Sequence, residues 1–184
     1  MDLRTLTVSA LIWAFSVAAF AQHEAADVAH TGELRELTGT YQWGPNAYLY
    51  LQTWNELSGT PQLVAFDESG KVRSLYPQSN GRFVAGPKAA VRDPVESTIQ
   101  FERDEDGKIA SLRWQKGDSR PLLAKHVQIE KWEDVSIANG NVRLAGTLIF
   151  PTSGRKHPAV ILVPASGPED REYLLPFSHF LVRR

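Results

Sequence analysis

The chain contains no cysteine. That absence excludes a disulfide-stapled scaffold, a thiolate zinc site, an iron–sulfur cluster and a cysteine nucleophile. A surplus of positive charge is missing as well, since 20 Lys and Arg stand against 21 Asp and Glu. Phosphate binding needs clustered cations, so nucleic acid is not an expected partner. His23, His30, His126, His157 and His179 are scattered, with no pair at ligand spacing; neither a metal nor a cofactor is expected. What is present in quantity is apolar: 42% of the 184 residues, enough for a packed core and too much for a wholly disordered chain. Thirteen Gly and eleven Pro punctuate it, which favours short strands and turns over long helices.

The first residues form a class of their own. Arg4 precedes the apolar run Val8–Phe20, and Ala19-Phe20-Ala21 places small residues where a signal peptidase reads. The run is 13 residues long, short of the roughly 18 needed to span a bilayer. Residues 1–21 are therefore predicted to be a signal peptide cleaved near Ala21, with the mature protein exported to the periplasm or secreted and no stable membrane span. Residues 22–36 read as a flexible lead-in.

Residues 37–129 read as an antiparallel β accessory domain. Ala47–Trp54 and Pro61–Phe66 are rich in aromatic and aliphatic residues, as strands are. Lys71–Tyr76 alternates in period 2 after the turn Asp67-Glu68-Ser69-Gly70, and Ser97–Arg103 and Lys108–Trp114 alternate around Asp104-Glu105-Asp106-Gly107. Several short strands with no helix between them imply a small barrel or a sandwich. Trp43, Trp54, Trp114 and Trp132 are candidate ligand platforms, with core filling the plainer reading. Asp104–Gly107 lacks the alternating ligands and distal Glu of a calcium loop, so it reads as a turn.

The last third carries the functional signal. Asn139-Gly140 marks a hairpin between Glu133–Ile137 and Val142–Pro151. Pro158–Val163 is apolar throughout, as in a parallel strand covered on both faces. The small-residue stretch Pro164-Ala165-Ser166-Gly167-Pro168-Glu169-Asp170-Arg171 follows. Leu174, Phe177 and Leu181, with Phe180 beside them, then fall on one helical face, and Pro176 fits only a first turn, so a helix is expected from about Leu175.

Asn139–Leu148 and Pro158–Arg171 together resemble the start of an α/β-hydrolase domain of the dienelactone-hydrolase and prolyl-oligopeptidase-like serine hydrolases. The resemblance covers about residues 130–184. It implies a first hairpin, then the third strand of a sheet in order 1-2-4-3, then an oxyanion loop. By the same resemblance the Ser166 backbone N–H is the oxyanion-hole donor and Ala165 and Gly167 shape the loop. Pro164-Ala165 stands where the family usually carries His-Gly or a small residue with Gly.

No G-x-S-x-G elbow occurs anywhere in the chain, and no acid or late-loop His follows it. The triad is absent, so no catalytic residue is assigned. The resulting expectation is a mainly β chain: a small antiparallel barrel or sandwich at 37–129, followed at 130–184 by the first strands and first helix of an incomplete α/β-hydrolase domain. As such it is the N-terminal portion of an exported esterase or peptidase, inactive alone, whose full-length relative would take a small ester or peptide. The alternative is a stand-alone periplasmic binding or interaction module. Residues 158–184 are expected to be poorly supported without the rest of the sheet.

Overall fold

The computed structural model describes residues 32–55, 59–152, 154, 156–163 and 174–183. The chain divides at Glu36/Leu37. Of the first unit, residues 32–36 are described; they form a turn of helix, and Leu34 is buried.

The second unit holds eight strands that follow one another around a closed antiparallel barrel: β1 (Gly39–Gly44), β2 (Ala47–Trp54), β3 (Gln62–Asp67), β4 (Val72–Pro77), β5 (Arg82–Ala85), β6 (Ser97–Arg103), β7 (Ile109–Lys116) and β8 (Leu122–Val127). Closure comes from β1 against β8, where Thr40, Tyr41 and Gln42 face Val127, His126 and Lys125. This decides between barrel and sandwich, and it leaves the sheet without a free edge. The turns behave as their composition demands. Gly70 and Gly107 take positive φ, and the Asp67 and Asp104 carboxylates accept from backbone N–H groups two and four residues on.

Residues opposed across a ladder share a face, so the register identifies the interior. Tyr41 opposes Leu49 and His126, and Ile99 opposes both Phe83 and Trp114. Tyr41 reaches Phe101 across the lumen with ring centroids 6.2 Å apart. Tyr41, Leu51, Leu63, Leu75, Ile99 and Leu112 are fully buried. An eight-stranded barrel is just wide enough for side chains to fill, and here they do. Trp114 and Trp43 take part, edge to face at 6.4 Å. Trp132 lies outside the barrel and is 48% exposed, so core filling does not account for it.

Two further strands, β9 (Glu130–Asn139) and β10 (Val142–Pro151), form a separate ribbon paired along its whole length. Its turn is Gly140-Asn141, with Gly140 at φ +57°, one residue later than Asn139-Gly140 would place it.

Among the described residues, the α/β-hydrolase continuation is not supported. Pro158–Val163, expected as a doubly covered strand, has no regular structure, and Ile161 and Val163 are 87% and 76% exposed. A buried strand needs neighbours to pair with and layers to cover it, and none of the described elements supplies them. One helix, α1 (Leu175–Val182), begins where Pro176 requires. Its orientation overturns the expected face. Phe177, Phe180 and Leu181 remain partly exposed, Phe177 to 59%, and the residue α1 buries is His179.

Candidate functional site

Ser166, Ala165 and Gly167, the expected oxyanion loop, lie outside the described residues, as do Asp170 and Arg171. Among the described residues, no group of three or more His, Asp or Glu gathers as a metal-ligand set.

The most concentrated chemistry lies on the outer face of the barrel, where α1 meets β2, β3 and the start of β9. Strand β2 carries Tyr48 and Tyr50 outward, because Leu49 and Leu51 on the same strand point in. Phe66 opposes Tyr50 on β3, and their rings stack at 5.1 Å and 21°. The imidazole of His179 continues the stack, its centroid 4.7 Å from that of Tyr50 and its plane inclined by 19°. Phe66 and Trp132 flank it at 5.9 and 5.8 Å.

Glu130, the first residue of β9, completes this box. Its Oε1 accepts from Trp132 Nε1 at 3.0 Å and stands 2.8 Å from His179 Nδ1. The imidazole contact is an ion-pair separation reached without hydrogen-bond alignment, and Oε2 is buried with no partner among the described residues. Both side chains are almost wholly buried, at 7% and 5%. One turn further along α1, Arg183 donates to the Tyr50 hydroxyl at 2.7 Å, lies 4.0 Å over the Tyr48 ring and pairs with Glu68 in the turn after β3. Burial pushes the Tyr50 phenol above its ordinary range, and the hydrogen bond from Arg183 works against that rise.

A carboxylate against an imidazole is the arrangement that orients a general base. Here the imidazole is covered by Tyr50 and enclosed by Phe66 and Trp132, so it does not face a substrate. As built, the group holds α1 on the barrel.

The sequence reading missed this group. Its members stand at positions 48, 50, 66, 68, 130, 132, 179 and 183, and no local motif joins them. One signal was available. Ala47–Trp54 and Leu63–Phe66 lack polar alternation, which marks strands covered on both faces; a barrel wall with apolar residues outward requires something packed outside it.

No protein-family model, no curated protein and no solved structure matches this chain.

Proposed function

We propose that this chain is the N-terminal part of an exported serine hydrolase acting on esters or peptides. In this reading the barrel is an accessory module, and β9, β10 and α1 are the first elements of the catalytic domain. The Ser166 N–H would stabilise the oxyanion of acyl transfer, while nucleophile, acid and base come from sequence beyond the elements described.

The observation that carries this reading is the state of the β9–β10 ribbon. Ile137, Val142, Leu144 and Leu148 lie on one face of it, and all four are exposed. A two-stranded ribbon is marginal in water, and ten paired positions with an exposed apolar stripe fit the edge of a larger sheet. The exposed apolar run at 158–163 fits the same incompleteness. Stand-alone ligand binding inside the barrel has less support, because its interior positions are filled by side chains.

The test is the coding sequence downstream of Arg184, together with fluorophosphonate labelling of the full-length gene product. A strand followed by G-x-S-x-G, and labelling of that serine, would support the proposal. A full-length product with no elbow serine and no labelling would overturn it. The 184-residue chain itself should not be labelled.

A further inference from the structure

We propose that the seam around Tyr50 is a positioning latch, which fixes the rotation and height of α1 on the barrel and so places the first helix of the catalytic domain. The catalytic consequence rests on the hydrolase reading above; the latch itself does not.

An amphipathic helix normally packs by its apolar face, through contacts that are non-directional and tolerate sliding. Helix α1 does the opposite. Its Phe177 is exposed, and it meets the barrel with His179 and Arg183, four residues apart and therefore on one face. The contacts they make come from separate elements. The imidazole is fixed by the face of Tyr50 on β2 and by Glu130 on β9. The guanidinium is fixed by the Tyr50 hydroxyl, the Tyr48 ring and Glu68. Tyr50 reads both residues at once, with its ring for His179 and its hydroxyl for Arg183. Turning α1 by one residue, about 100°, would take the imidazole out of its box and away from Glu130. An eight-residue helix is unstable by itself, so its order should depend on these contacts.

Hydrogen exchange on the 184-residue protein tests the latch. Amides of residues 178–183 should be protected in the native chain. Tyr50→Leu and His179→Gln should each reduce that protection at least tenfold, and Tyr50→Phe, which keeps the stack and loses the hydroxyl, should reduce it less. Protection of β5–β8 should be unchanged and reports that the barrel is folded; His179→Gln keeps the test valid if Tyr50→Leu perturbs β2. Unchanged helix protection in both variants would overturn the latch. In the full-length gene product, Tyr50→Leu should lower kcat for a p-nitrophenyl ester at least fivefold with KM within twofold, and Tyr50→Phe should recover part of it. Lost helix protection with unchanged kcat would overturn the positioning role alone. A native full-length product that fluorophosphonate does not label would defeat the hydrolase reading and the catalytic role together, while the exchange result would still decide the latch.

Discussion

On β8, the exposed His126 lies against Tyr41 of β1 with ring centroids 4.9 Å apart and planes inclined by 46°. Burial pushes the His126 imidazole below its ordinary range, with a backbone hydrogen bond to Thr38 pulling the other way. The folded state therefore favours the neutral ring, whereas the unfolded chain takes up a proton near about 6.5. The stability this group contributes is fully present above that pH and is lost as pH falls through the lower folded value. Urea midpoints of native protein and His126→Asn between pH 8 and pH 5 should diverge, the native chain losing more. Parallel curves would show that His126 is not the titrating group.

The same imidazole limits its neighbour. Gly39 has φ +134°, and a β-carbon there would overlap His126 Nε2. Gly39→Ala should cost roughly 3 kcal/mol, from backbone strain and overpacking together. Pairing it with His126→Ala should relieve the overlap and leave the backbone part, a coupling that a double-mutant cycle on unfolding free energies reads directly. Full additivity of the two substitutions would mean that the clash is not there.

How far the sequence carried the fold depends on the range of the interaction concerned. Strands β2, β3, β4, β6 and β7 were legible because alternation and Gly-containing turns are local: Ser97–Arg103 was placed residue for residue. Closure was not, since Tyr41 in the first strand meets His126 in the last, far apart in sequence. The α1 start was legible from Pro176, but its face was not. Periodicity locates an apolar stripe without saying which way it turns, and here α1 turns His179 and Arg183 toward Tyr50, Glu130 and Glu68. Pro158–Val163 failed as a strand for a related reason: an apolar run has strand propensity, but pairing needs a partner.

The barrel core and the ribbon stripe should respond differently to the same kind of substitution. Leu112 is fully buried in the lumen, and Leu112→Ala should cost about 3 kcal/mol from lost transfer energy and the cavity left behind. Leu144 is exposed on the ribbon, and Leu144→Ser in the 184-residue chain should change stability by less than about 0.5 kcal/mol. In the full-length gene product, Leu144→Ser should become destabilising by about 2 kcal/mol if further sheet or helix covers that face. An equally small effect in both would mean the stripe stays uncovered.

Among the described residues of the second unit, 156–163 should be the first place a protease cuts. They have no regular structure, and Val160, Ile161 and Val163 are exposed to an extent that no barrel residue of their kind shares. Exposed backbone without ladder hydrogen bonds opens at almost no free-energy cost, whereas barrel strands open near the global limit. Thermolysin, which cleaves before large apolar residues, should therefore nick the chain at Ile161–Val163 under native conditions and leave β1–β8 intact. Brief digestion followed by mass spectrometry reads this as a stable fragment ending close to residue 160. A chain that resists cleavage there, with slow amide exchange over 158–163, would show that this segment is already packed and paired, and would remove one of the two observations that favour a missing remainder of the sheet.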